Sequence, residues 1–277
     1  MTQAEKARRL LELHHADEPL VLPNAWDVAS ARIFEDAGFP AIATTSAGIA
    51  NSLGYADGER IPREEMLGIV ARITAAVGVP VTADMEGGYG DVAATARGVV
   101  EAGAVGFNYE DGRERPSPHL ISSDEMCHGI RAAMEAGRAR GVELVINART
   151  DVYLSGFGPP EERFDETVRR CLDYAKAGAA CVFVPGLTDE KIIGALVAAV
   201  RMPVNILGTA SAPPIRRLSE LGVRRVSVGS GPMRATMGLT RRIAEELRSA
   251  GTYRAMTEGA MSYLDANALY LPELRKR

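Results

Sequence analysis

The feature that most constrains the fold is one unit repeated along the chain. A short, β-rich apolar run gives way to a polar or glycine-rich turn and then to an amphipathic stretch. Eight such runs occur: "LVLPNA" (20–25), "AIATTS" (41–46), "VPVTADM" (79–85), "AVGFNYE" (104–110), "ELVINART" (143–150), "CVFVPG" (181–186), "PVNIL" (203–207) and "VRRVSVG" (223–229). Helical patterns such as "ASARIFEDAG", "REEMLGIVARITAAVG" and "FDETVRRCLDYAKAGA" lie between them. Gly38 and Gly78 follow two of these helices, where a left-handed cap belongs. "EDAGFPAI", "VEAGAVGF" and "AKAGAACV" are three copies of one helix–glycine–strand join. Continuous apolar strands alternating with helices imply a parallel sheet covered on both faces. Eight βα units in 277 residues fit an α/β fold, a (β/α)8 TIM barrel, as a single domain over 1–277. A doubly wound open sheet is the alternative, but no GxGxxG follows the first strand.

Composition removes several functions. The formal net charge of −4 argues against a nucleic-acid partner. The basic "ELRKR" at the end of the sequence reads as a short solvated tail. The three cysteines have no metal-ligand spacing and suit a reducing, cytoplasmic setting. Cys181, inside an apolar run, reads as a small core residue. "MTQAEKARRLLELHH" is a charged amphipathic helix and not a signal peptide. No apolar run approaches the ~20 residues that cross a bilayer, so no membrane partner is expected.

In a barrel the chemistry sits at the C-terminal ends of the strands. The ends of runs two to five, "TTSAG", "ADMEGG", "NYEDG" and "NARTD", carry most of the polar residues. Asp84 and Glu86 from the third run and Glu110 from the fourth are expected to converge, with Asp111 beside them. Alternation along a strand puts Asp84 and Glu86 on one side, where their repulsion needs a cation. Without histidine or cysteine nearby, such a site suits Mg²⁺ or Mn²⁺, with some acids binding through water. Arg149 either clamps a substrate carboxylate or pairs with Glu110 or Asp151, and Asn147 faces the same way. Thr45, Ser46, Ala47 and Gly48 form a small-residue turn whose amides can meet an oxyanion, or merely a tight turn. "GSGP" (229–232) reads as a turn more than a phosphate nest, Trp26 as packing and Asp27 as a helix cap. The long loops 111–123 and 151–163 are lid candidates. Beyond the eighth run, 232–277 holds two amphipathic patterns, "MGLTRRIAEELRSAG" and "YRAMTEGAMSYLDANALY", one helix more than the barrel needs. A partner subunit would cover it.

Taken together, "PNAWDVASARIFEDAGFPAIATTSAGIANSLGYADG", "PVTADMEGGYG", "NYEDG", "INARTD", "FVPG" and "PVNIL" resemble the isocitrate lyase/phosphoenolpyruvate mutase superfamily over nearly the whole chain. The resemblance implies a (β/α)8 barrel whose eighth helix is swapped with a neighbour in a homotetramer. It implies Asp84 as the principal Mg²⁺ carboxylate, with Glu86 and Glu110 holding the ion through water. It implies that Ser46, Ala47 and Gly48 bind the substrate's carboxylate and 2-oxo oxygen, that Arg149 binds substrate, and that Asp57 in "GYADG" stands near the site. The substrates implied are small 2-oxo or 2-hydroxy carboxylic acids, with a C–C or P–C bond made or broken beside an enolate.

Departures from the family pattern narrow the branch. The cysteine-bearing Lys-Lys/Arg-Cys-Gly-His loop of the isocitrate and methylisocitrate lyases is replaced by "EDGRERPSPHLISS". Cys127 falls on the following helix, and the lysine- and asparagine-bearing loop of the mutases is also missing. The sequence is closest to a branch of 2-oxo-acid-utilising lyase-like proteins. The first expectation is a Mg²⁺-dependent lyase acting retro-aldol on a 2-hydroxy di- or tricarboxylate, with a group of the 111–123 loop moving protons; His119 is a candidate for it but reads more readily as a solvated loop histidine. The alternatives are oxaloacetate-type decarboxylation or hydrolysis, P–C bond chemistry, and a barrel that only binds oxo acids.

Overall fold

The computed structural model describes residues 1–113 and 119–271. The first sequence run forms β1 (Leu20–Leu22) and β2 (Asn24–Ala25), parted by Pro23. The next runs form β3 (Ile42–Thr44), β4 (Val81–Asp84) and β5 (Gly106–Glu110). A small antiparallel pair follows, β6 (Gly112–Arg113) with β7 (His119–Leu120). Then come β8 (Val145–Arg149), β9 (Cys181–Phe183), β10 (Val204–Leu207) and β11 (Arg225–Ser227). The parallel ladder runs β1-β11-β10-β9-β8-β5-β4-β3-β2.

The two halves of the first run stand at opposite ends of that ladder, so the sheet closes on itself. Leu20 pairs with Arg225 on one side, and Asn24 with Ala43 on the other. Pro23 has no N–H to give, yet its carbonyl accepts from Ala43 N at 3.0 Å. The Asn24 side chain completes the closure. Its Nδ2 donates to Thr44 O at 2.7 Å, and its Oδ1 accepts from Val228 N and Gly229 N at 2.8 and 2.9 Å. The fold is a (β/α)8 TIM barrel. Because Asn24 uses the amides at 228 and 229, "GSGP" is a turn bound to the barrel's own seam.

The apolar core lies between the outward strand faces and the helices. Phe107, Ile146, Val182, Ile206 and Val226 are buried there. On the helix Arg63–Ala76, Met66, Val70 and Ile73 repeat at helical spacing and are also buried. Asp27 caps the helix Val28–Asp36 by accepting from Ser30 N at 2.7 Å. The expected left-handed glycines occur at Gly38, Gly103 and Gly178 (φ 88°, 83° and 109°). Gly78 is a correction: Arg63–Ala76 ends at Val77 in extended conformation, and the Gly78 amide donates to Glu35 Oε1 at 2.6 Å.

The helix Gln3–Leu13 closes the N-terminal end of the barrel. Gln3 Nε2 donates to Val100 O and Ala104 O at 2.8 and 2.9 Å, and Lys6 Nζ to Val77 O at 3.3 Å, all just upstream of β5 and β4. Leu10 and His14 are fully buried beneath the strands.

At the other end of the chain, the helix Gly231–Ser249 buries only Met233. The single helix expected over 253–270 is instead two, Arg254–Thr257 and Tyr263–Ala268. Gly259 between them is left-handed (φ 71°), and Ser262 starts the second by capping Asp265 N. Tyr263 and Leu264 are 84% and 71% exposed. The "ELRKR" tail lies outside the described residues. All three cysteines are buried and unbridged, Cys127 on the helix Ser123–Arg138. No described helix is long and apolar enough to cross a membrane.

Candidate active site

Two adjoining cavities open among the C-terminal strand ends. The inner one, about 230 Å³, is lined by Thr45, Ser46, Ala47, Asp57, Asp84, Asn108 and Arg149, with an apolar wall of Leu154, Phe183, Pro185 and Leu207. The outer one, about 460 Å³, shares Ser46, Asp57, Arg149 and Leu154 and adds Glu86, Glu110, Arg113, His119 and Asp151. Both lid candidates contribute. The first contains β6 and β7, with 114–118 outside the described residues. The second begins with the one-turn helix Val152–Ser155.

Asp84 ends β4 and is held from three directions. Its Oδ2 accepts from Ser46 N at 3.1 Å and Ser46 Oγ at 2.9 Å, and its Oδ1 accepts from Asn108 Nδ2 at 3.3 Å. Ser46 is placed by the start of a helix, Ser46–Ser52, whose cap is Thr45. Thr45 Oγ1 takes the Gly48 amide at 3.3 Å. The Gly48 amide thus donates within its own turn, and Gly48 lines neither cavity. Its missing side chain serves packing, since a Cβ there would stand 2.5 Å from Thr45 Cγ2. Ser46 and Ala47 keep their positions on the cavity wall.

Glu86 does not continue the strand. Its backbone is left-handed (φ 49°), as are those of Glu59 (52°) and Tyr89 (55°), three non-glycine residues in a region of backbone strain. The three lock together: Glu86 Oε2 accepts from Glu59 N, and Glu59 Oε1 accepts from Tyr89 N, each at 2.7 Å. Strand alternation therefore does not relate Asp84 to Glu86; the turn aims Glu86 at the outer cavity. Among the described residues its Oε1 is buried without a hydrogen-bond partner. Burial first, then the charges of Asp57 and Asp84, push its carboxyl up to about 8.

The glycine beside it has another duty. A Cβ on Gly87 would lie 2.6 Å from Arg113 Cζ. Arg113 threads past it to the carbonyls of Glu110 (2.6 Å), Gly112 (2.7 Å) and Gly87 (2.9 Å), tying β5 to the turn after β4.

Arg149 forms the ion pairs that its alternative reading foresaw. It grips Asp151 through Nε (2.6 Å) and Nη2 (3.0 Å), and its Nη1 lies 2.6 Å from Glu110 Oε2, off the line of a hydrogen bond. Burial raises the Glu110 carboxyl well above its ordinary value, against the opposing pull of Arg149. Asn147 does share the orientation of Arg149 but sits one layer deeper. It is fully buried, lines neither cavity, and donates to Asn108 Oδ1 at 2.8 Å. Asp111 also turns away from the mouth. It accepts from Tyr174 OH (2.7 Å), Arg170 Nη1 (2.9 Å) and Asp151 N (2.9 Å), a buried brace under the loop.

Among the described residues, the acids lining the two cavities, Asp57, Asp84, Glu86, Glu110 and Asp151, outnumber the guanidinium groups of Arg113 and Arg149. The surplus of carboxyl groups and the orphaned Glu86 Oε1 fit a hard divalent cation, although His119 stands on the outer wall where no histidine was expected nearby. Among the described residues, no three acids stand close enough to hold one ion directly. Ser46, Glu59 and Arg149 pull their carboxylates apart. The expected convergence is thereby narrowed to few direct ligands, with other acids reaching through water.

The chain matches the family model described as phosphoenolpyruvate phosphomutase over residues 10–248. It is 37% identical over 227 residues to an uncharacterized protein of Mycobacterium tuberculosis (strain H37Rv), covering 81% of this chain and 83% of that one. It is 28% identical over 257 residues to 2-methylisocitrate lyase of Escherichia coli K12, covering 87% and 84%. A crystal structure from Burkholderia cenocepacia J2315, provisionally assigned as a lyase/mutase, superposes with a TM-score of 0.88 at 38% identity, over 97% of this chain and 96% of that one. Barrel, mouth and sequence thus agree on one assignment: the chain belongs to the isocitrate lyase/phosphoenolpyruvate mutase superfamily and is an enzyme of that group of lyases and mutases.

Proposed function

We propose that the protein is a Mg²⁺-dependent lyase that cleaves, or forms, a C–C bond of a small 2-hydroxy di- or tricarboxylate, one product being a 2-oxo acid. The observation that carries this reading is the excess of carboxyl groups around the cavities, with Asp84 at their inner end held by the hydroxyl and amide of Ser46. Asp84 would hold the ion, with Glu86 and Glu110 acting through water; Mn²⁺ suits the same oxygens. When bound, the ion supplies a positive charge beside the developing oxyanion.

The chain's own groups do the rest. In cleavage, the substrate's 2-hydroxyl loses its proton and becomes the 2-oxo carbonyl. The C–C electrons pass to the departing fragment as an enolate, which then takes up a proton. Ser46 and Ala47 line the wall where that oxygen would be received. Arg149, kept charged and rigid by Asp151, would orient a substrate carboxylate. Leu154, Phe183, Pro185 and Leu207 would exclude water from the departing carbon. The methylisocitrate lyase relative supports C–C rather than P–C chemistry.

The assembly proposed is a homotetramer of helix-swapped dimers, supported by the exposure of most of Gly231–Ser249 and of Tyr263 and Leu264. The reaction is tested by incubating the protein and Mg²⁺ with a panel of 2-hydroxy and 2-oxo polycarboxylates. Pyruvate is read with lactate dehydrogenase and other oxo acids with phenylhydrazine. Phosphonopyruvate is followed by phosphorus NMR. Turnover of phosphonopyruvate alone overturns the proposal.

A further inference from the structure

Below the mouth, the inside of this barrel is not the stack of branched apolar side chains usual in the fold. Arg225, on β11, is fully buried there. Among the described residues it has no carboxylate in hydrogen-bond contact. Its partners are two neutral acceptors: Nη2 donates to Asn108 Oδ1 at 3.2 Å, and Nη1 lies 3.3 Å from His14 Nε2. β11 and β5 are separated in the ladder by β10, β9 and β8, so the first of these bonds crosses the barrel interior.

The polarity of this chain of bonds is fixed by its chemistry. His14 Nδ1 must donate to Leu10 O (2.7 Å), because a carbonyl has no proton to give. His14 Nε2 is therefore the acceptor, and a guanidinium is only a donor. Asn108 Oδ1 receives both Arg225 and Asn147, which turns its Nδ2 toward Asp84 Oδ1. A permanent positive charge thus sits one amide away from the innermost acid of the mouth. Burial alone works against the Arg225 charge, bringing the group down to about 10, and Asp84 is among the charges that work for it.

We propose that Arg225 is the internal countercharge of the carboxylate centre. From inside the barrel it supplies part of the positive charge that a cation supplies from the mouth, and through Asn108 it positions Asp84. It touches neither cavity and is a positioning residue. The proposal rests on the metal reading above only for its Mg²⁺ arm.

The test is thermal unfolding in EDTA and in saturating Mg²⁺ for the wild type, Asp84→Asn, Arg225→Met, Arg225→Lys and the double variant Asp84→Asn/Arg225→Met. If Arg225 balances Asp84, Asp84→Asn in EDTA is more favourable in the Arg225→Met background than in the wild type, by about 3 °C or more for a chain of this size. Mg²⁺ then raises the melting temperature of Arg225→Met by about 3 °C more than that of the wild type. Arg225→Lys, which keeps the charge, follows the wild type in its response to Mg²⁺. Should Arg225→Met fail to fold, the double variant is expected to recover folded protein. An equal effect of Asp84→Asn in both backgrounds overturns the countercharge, as does failure of the double variant to fold. Absence of any Mg²⁺ response in the wild type overturns the metal reading, and the EDTA cycle alone then decides the role of Arg225.

Discussion

Ser46 gives both its amide and its hydroxyl to a single oxygen, Asp84 Oδ2, at 3.1 and 2.9 Å. The helix starting at Ser46 and the end of β4 are joined at that atom, so disturbing one residue disturbs the aim of the other. Asp84→Ala is expected to abolish Mg²⁺ binding measured by calorimetry, and retained binding removes Asp84 as the principal ligand. Ser46→Ala removes one of the two donors that hold Asp84 Oδ2 and, with it, the hydroxyl on the cavity wall, so Mg²⁺ binding is expected to weaken without being abolished. Its kcat is expected to fall by roughly 10²–10³ with a smaller change in KM.

Arg149 offers a sharper contrast between shape and charge. Its fork is used in full on Asp151. Arg149→Lys keeps the charge and loses the paired geometry, so kcat/KM for a carboxylate substrate should drop by a factor of roughly a hundred, about 3 kcal/mol. Steady-state kinetics with substrates bearing and lacking that carboxylate separate a clamp from a purely structural pair, which would lower both alike.

Acid sensitivity should be written partly in His14. Burial, then the neighbouring Arg225, lowers its pKa from 6.5 to about 3. The unfolded chain therefore takes up a proton below pH 6.5 that the folded chain refuses until near pH 3. Stability from this group is complete above 6.5 and is lost as the pH falls toward 3, on the order of 4 kcal/mol at the low end. His14→Gln retains an acceptor for Arg225 without titrating. Its melting temperature should decline less steeply than that of the wild type over this window, and parallel curves would count against a neutral buried imidazole.

Two glycines make a matched pair. Gly68, inside the helix Arg63–Ala76, has open space where a Cβ would go, so Gly68→Ala should stabilise by about 0.4–1 kcal/mol. Gly87→Ala drives a methyl into the Arg113 guanidinium and should destabilise by about 1–3 kcal/mol. Urea unfolding of both variants measures the difference; equal midpoints would mean that Arg113 has room to move aside.

The exposed C-terminal arm gives the remaining prediction. Removing residues after 250 should reduce the assembly to smaller species in analytical ultracentrifugation while the barrel keeps its circular dichroism. An unchanged tetramer would show that the arm is not the swapped element.

The eight strands were legible because each run is apolar for its whole length and is followed by a helix pattern with its own start and stop. Strand ends were legible for the same reason, which placed Asp84, Glu110 and Arg149 at the mouth. What was hidden depended on partners distant in sequence. Nothing near Asp111 announces that Arg170 and Tyr174, 59 and 63 residues later, will claim it. Asn147 matched Arg149 in direction, but depth within a barrel is not a property of periodicity. Arg225 in "VRRVSVG" looks like a surface charge until the register with Leu20 turns it inward. Glu86 was misjudged by assuming the strand continued, when its left-handed backbone had already ended it. Nor does anything around Gly87 show that it clears space for Arg113, 26 residues later.

The break at Pro23 has a bearing on how the molecule comes into being. One amide side chain, Asn24, bridges the first strand to backbone donors 204 and 205 residues downstream. In a chain emerging from the ribosome that oxygen has only water to accept from until the last strand arrives, and until then β1 is an open edge. Closure is the least local event in the fold and so the slowest to be rewarded. The same seam lines the inner cavity through Asn24, Ser227 and Gly229. The wall of the inner cavity is therefore complete only when the first run of the chain and the last strand have met.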